Sequence, residues 1–187
     1  MAGALLNLPT TASLITAAIV WAAAWVDVRT RRIPNAFAVT GAALGLLIFL
    51  EADGLSGVSR GLAGLGLGLI LMLPGYLLRS TGAGDVKLMA AVGALLGPER
   101  VLLAWVLAVL SGAAVAGAYA VRAWRTRGAR APWGRYGQML RTLLRTGRTR
   151  YVAPAEGEAL NRRFAFGPAI AIGSTVAAWL PVAQCQQ

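Results

Sequence analysis

Apolar residues in this chain fall into long runs separated by short polar breaks, without the period-two alternation of a barrel strand. Six runs, about 11–27, 36–50, 61–78, 85–96, 101–121 and 164–182, approach the roughly 20 residues with which a helix crosses about 30 Å of hydrocarbon. The pattern predicts an all-α integral membrane protein, a six-transmembrane-helix bundle forming one domain over residues 1–187. The fourth run is short for a crossing, so it is expected to tilt or to start from an entrance recessed into protein.

The breaks fit this reading. Pro34 in Ile33-Pro34-Asn35 stops the first helix, and Asn35 is placed to cap the second. Residues 51–54 and 97–100 make turns at the opposite face. In the third run Gly61, Gly64, Gly66 and Gly68 predict a close-packing face, and Pro74-Gly75 permits a kink near its end. Hydropathy supports a membrane bundle: 57% of residues are hydrophobic and the mean hydropathy is +0.63.

Charge adds an orientation. The chain carries 18 Lys and Arg against 7 Asp and Glu, a formal charge of +11. In a soluble protein that balance would suggest nucleic acid, but here the basic residues lie between apolar runs and no recognition motif accompanies them. Arg29, Arg31 and Arg32 place the end of the first run in the cytoplasm, which leaves both termini, including Cys185, on the periplasmic side. The loop 122–163 holds 11 basic residues beside Glu156 and Glu158 and is therefore expected to be cytoplasmic. Within it Tyr136, Met139, Leu140, Leu143 and Leu144 recur at helical spacing, with Arg135, Arg141, Arg145 and Arg148 elsewhere. Such an amphipathic helix can lie on an anionic leaflet, although a solvated basic face is the plainer reading.

Several chemistries are excluded. There is no histidine and one cysteine, so no Cys/His metal cluster, internal disulfide, or Ser-His or Cys-His catalytic pair can be built. No metal or cofactor is expected. A secretory signal fits poorly, because the first basic residue, Arg29, follows the first apolar run instead of preceding it.

Two carboxylates remain. Asp27 closes the first run and Asp85 opens the fourth, both at the inner face. Ionisable groups at membrane segments are costly and tend to carry function, yet Asp85 after Gly84 also reads as a helix cap. Paired, the two suggest aspartyl proteolysis. Neighbouring carboxyls cannot both ionise easily, so one keeps its proton while the other activates water. Gly82 and Gly84 form the candidate active-site loop and allow an extended substrate to approach the backbone. Lys87 belongs to the same loop, with interfacial snorkelling as its simpler role. No substrate-binding residue is assigned.

Two other classes compete. Coupling carboxylates in a small ion-coupled transporter would lie near mid-membrane and accompany an internal repeat, neither of which the sequence offers. A non-catalytic assembly protein would pair Asp27 with Arg29 or Arg31 and use Asp85 as a cap.

Asp27-Val28-Arg29-Thr30-Arg31-Arg32-Ile33-Pro34-Asn35, together with Gly82-Ala83-Gly84-Asp85-Val86-Lys87-Leu88-Met89, resembles the paired signature of the type IV prepilin peptidases, membrane aspartyl proteases of the GxGD class. Phe166-Gly167-Pro168 resembles the element before that family's last helix. The resemblance implies that Asp27 and Asp85 are the catalytic pair and cut the basic leader from prepilins at the cytoplasmic face of the bacterial inner membrane. It also implies contact with pilus or secretion assembly proteins. Without an N-terminal cysteine-bearing domain, the chain looks more like the compact enzymes serving Flp (Tad) pili, and methyltransferase activity is not expected. A preflagellin-type peptidase, similar in its dyad, is the nearest alternative.

Overall fold

The computed structural model describes residues 8–78, 81–127, 133–147, 152 and 165–180. It is built of helices, with no strand among the described residues: α1 (Leu8–Thr30), α2 (Asn35–Leu77), α3 (Ala83–Arg127), α4 (Trp133–Thr146) and α5 (Gly167–Trp179). Thr10–Thr30, Asn35–Leu77 and Ala83–Tyr119 are long and apolar enough to cross a membrane, and Gly167–Trp179 is a shorter apolar helix. This is a membrane protein.

The expected runs 36–50 and 61–78 both fall within α2, and 85–96 and 101–121 both fall within α3. Each long helix is broken at one glycine. Gly54 (φ 63°, ψ −138°) and Gly97 (φ 81°, ψ 174°) have backbone conformations that side chains oppose. In α2 the chain doubles back at Gly54, because Gly57 lies against the backbone of Phe49 and Gly61 against Leu46. Pro74 lies inside α2, and helical dihedrals run through it to Leu77.

The first arm of α3 is the centre of the bundle. From Asp85 to Gly97 every residue except Lys87 is buried, and Leu88, Met89 and Ala94 are fully enclosed. A helix apolar all round belongs in the interior. That accounts for the shortness of the fourth run: this arm is wrapped by protein, with Val20, Ala23 and Ala24 of α1, Met72 of α2 and Ile170 of α5 sharing its core.

Glycine lets the surrounding arms approach. A Cβ at Gly45 would meet the carbonyl of Ala94, one at Gly64 the carbonyl of Gly93, and one at Gly68 the carbonyl of Met89. Helices in lipid gain most from this kind of backbone approach. Gly66 departs from expectation and faces open space, because 64 and 68 share a helical face that 66 leaves.

α1 and α5 run antiparallel. Ser13 Oγ donates to Ala178 O at 2.9 Å at one end, and Gly167 N–H reaches Asp27 at the other. Arg100 Nη1 also donates to Ala178 O at 2.9 Å, satisfying a carbonyl in the last turn of α5. Gly112 packs under Phe166 at the Asp27 end, so the second arm of α3 returns beside α5.

The expected loop 122–163 begins as helix, since α3 continues to Arg127. α4 realises the amphipathic helix, with Met139 buried and Leu140, Arg141, Leu144 and Arg145 exposed. The side chains of Arg135, Tyr136 and Leu143, and the residues Arg148, Glu156, Glu158, Phe164 and Cys185, lie outside the described part.

Candidate active site

Asp27 sits in the last turn of α1, and that turn closes in an uncommon way. Arg31 adopts a left-handed conformation (φ 56°), and its N–H donates to Asp27 O at 2.8 Å. Glycine usually fills such a position after a helix. The main chain of Asp27 is thus committed to ending α1, while its side chain turns towards α5. There Oδ2 accepts the N–H of Gly167 at 3.1 Å, in a buried setting. Arg29 has a partner of its own, with its guanidinium 4.3 Å from the centre of the Trp25 ring.

Asp85 is the third residue of α3. Its Oδ2 accepts the N–H of Gly82 at 2.8 Å, which is the back-reaching half of a capping box. The capping role raised by the sequence is therefore present, but from the third helical position and not from the cap itself. Gly84 fits closely against Ile33, where a Cβ would lie 2.9 Å from the Ile33 Cβ. That contact docks the start of α3 on the turn after α1 and brings Asp85 to the Asp27 end of the bundle.

Both carboxyls are buried, Asp27 at 6% exposure and Asp85 at 7%. Each has one oxygen held by a main-chain N–H near a helix start. A carboxylate has about four acceptor sites, so each keeps capacity for a water or a substrate group.

Lys87 is exposed, and its Nζ donates to Asn35 Oδ1 at 3.0 Å. This corrects the expectation for Asn35: the residue before α2 is Pro34, no side-chain cap bond forms there, and Asn35 is helical. Lys87 therefore joins the starts of α2 and α3, beyond any snorkelling.

The sequence profile of the type IV leader peptidase family matches residues 14–117, more than half of the chain and inclusive of Asp27, Gly82, Gly84, Asp85 and Lys87. The chain belongs to the type IV leader peptidase family. No curated protein and no solved structure matches it. As a leader peptidase it is a membrane protease acting on a protein substrate of the prepilin kind. The matched segment stops well before Gly167, although that residue touches Asp27.

Gly167 is the site residue that sequence reasoning did not assign. Phe166-Gly167-Pro168 stands out as a helix start with proline in its first turn. Nothing in the sequence says which side chain that start would meet.

Proposed function

We propose that Asp27 and Asp85 form a hydrolytic dyad that removes the leader peptide of Flp-like type IV prepilins at the cytoplasmic face of a bacterial inner membrane. The observation that supports this most is that two buried carboxyls, remote along the chain, come to one end of the bundle, where Gly84 packs on Ile33 and Lys87 bonds to Asn35. The reaction needs one carboxyl to carry a proton while the other is ionised.

The ionised member takes a proton from water as the oxygen attacks the scissile carbonyl carbon. The protonated member hydrogen-bonds the carbonyl oxygen as it becomes an oxyanion. Collapse of the tetrahedral intermediate breaks the C–N bond, and a proton passes from the dyad to the leaving amine. The products are a leader peptide ending in a new carboxylate and a mature pilin with a free amino terminus. Exposed Gly82 and Lys87 line the approach to Asp85, with Gly82 leaving main chain open to an extended substrate, while Gly84 is closed off by Ile33.

In this reading α1, both arms of α2, both arms of α3 and α5 are six crossings of a single membrane domain with both termini periplasmic. The three arginines after Asp27 are then cytoplasmic. The basic α4 with exposed Leu140, Leu144, Arg141 and Arg145 rests on the anionic inner leaflet. Pilus assembly proteins are further partners of the same face.

Co-expression of the full chain with an Flp-type prepilin tests the proposal, with the leader followed by mass spectrometry of the pilin. Wild type removes the leader, whereas Asp27→Asn and Asp85→Asn each leave it in place. Leader removal that persists in either variant rejects the dyad.

A further inference from the structure

Gly167 meets Asp27 in two independent ways. Its N–H donates to Asp27 Oδ2 at 3.1 Å, and a Cβ built on it would lie 2.8 Å from that oxygen and 3.1 Å from the Asp27 Cβ. The first N–H groups of a helix have no partner within it, and a buried one left unpaired costs about 1–3 kcal/mol. α5 and Asp27 therefore hold each other. Any larger residue at 167 removes the space in which the carboxyl sits.

The height of the α5 start is itself fixed from α3. The Phe166 ring covers Gly112, and a Cβ at Gly112 would collide with the ring edge. One turn along, the Ser111 hydroxyl has two acceptors, Ala169 O at 3.3 Å and Ala108 O at 3.1 Å. These contacts make a chain of support, from Gly112 to Phe166, from Phe166 to Gly167, and from Gly167 to one oxygen of Asp27.

We propose that Gly167 is a positioning residue for Asp27, and that the seat of Phe166 on Gly112 sets the depth at which the α5 start meets that carboxyl. The inference rests on the reading of Asp27 as one half of the hydrolytic pair. An aspartate side chain turns about two soft bonds, and anchoring Oδ2 leaves Oδ1 to face the reacting water. Reaction geometry of this kind tolerates little error, since a misplacement of about 1 Å can lower a rate by about 100-fold. Asp85 is anchored through Oδ2 to Gly82 in a parallel way, so both acids present a held oxygen and a working one.

The test uses the full chain in lipid vesicles and a prepilin substrate, with kcat and KM measured separately and thermal unfolding recorded for each variant. Gly167→Ala is expected to lower kcat by about 10- to 100-fold with KM within about twofold. An unchanged kcat, or a loss confined to KM, overturns the proposal. Gly112→Ala, which pushes on Phe166, is expected to lower kcat, and Phe166→Leu added to it is expected to restore much of the loss. Failure of that rescue overturns the seat, and the pair decides the matter if Gly167→Ala does not fold.

Gly173→Ala serves as the comparison, because it crowds the Ala104 and Ala108 backbone from the same helix away from Asp27. It should lower the unfolding temperature while kcat per folded enzyme holds; a kcat loss as large as that of Gly167→Ala would reduce both to general packing and overturn the assignment. Asp27→Asn separates the two levels. If it retains cleavage, the dyad reading fails; if it abolishes cleavage while Gly167→Ala does not slow it, only the positioning role fails.

Discussion

Lys87 Nζ donates to Asn35 Oδ1 at 3.0 Å and so ties the start of α3, two residues beyond Asp85, to the start of α2, just beyond the turn that follows Asp27. Gly84 packs on Ile33 of that same turn. The two acidic segments are thus joined by one polar and one steric contact that do not involve the acids.

Breaking the polar contact should affect rate more than stability. Lys87→Met removes an exposed hydrogen bond, worth about 1 kcal/mol or less, and the unfolding temperature should fall by no more than about 2–4 °C. Cleavage should slow by roughly 3- to 10-fold as the two segments lose register. Asn35→Leu should do the same, and the double variant should be no worse than either single one. Additive losses in a kinetic cycle would show that the two residues act separately.

The glycines of α2 should divide sharply. Gly64→Ala drives a Cβ into the Gly93 carbonyl, and because backbone cannot step aside as a side chain can, the cost should reach about 3 kcal/mol or more. Gly66→Ala meets nothing and should be neutral or stabilising by up to about 1 kcal/mol. Unfolding of the two variants in the same detergent, followed by circular dichroism, checks the contrast.

Gly97 breaks α3 with φ 81° and ψ 174°, a region that is essentially glycine's alone. Gly97→Ala should lose about 1–3 kcal/mol from conformation, with added crowding against Phe49, 3.3 Å from the new Cβ. The loss should appear as a lower unfolding temperature with cleavage by the remaining folded enzyme little changed, since Gly97 lies at the end of the arm away from Asp85.

Arg100 tests the opposite end of α5 in the same way. Its bond to Ala178 O supplies a cation near a helix C-terminus, an interaction worth about 0.3–1 kcal/mol and up to about 2 when partly buried. Arg100→Met should lower stability by about 1 kcal/mol and leave kcat unaltered. A kcat change would mean that α5 transmits displacement along its length to Gly167.

Much of this was legible along the chain. Asp27 and Asp85 stood out because acids at the edges of apolar runs are costly, and the central arm of α3 stood out as a run short for a crossing, expected to tilt or to be recessed into protein. Asn35 misled, because an Asn after Pro has the look of a cap; the competing partner, Lys87, lies 52 positions away. Gly66 misled because a cluster of glycines invites a single packing face, and helical geometry splits that cluster between two sides.

What the sequence determined by itself is the solvent and the parts. Crossing hydrocarbon demands long apolar stretches whose backbone bonds close within each helix, and that demand is met or failed locally, residue by residue. What only the tertiary structure decided is the register between parts: that Gly64 faces Gly93, that the chain doubles back at Gly54, and that the N–H of Gly167 ends on Asp27. Register is set by summed contacts between segments remote in sequence, and shifting one helix by a turn changes every pair at once while leaving each segment's own pattern untouched.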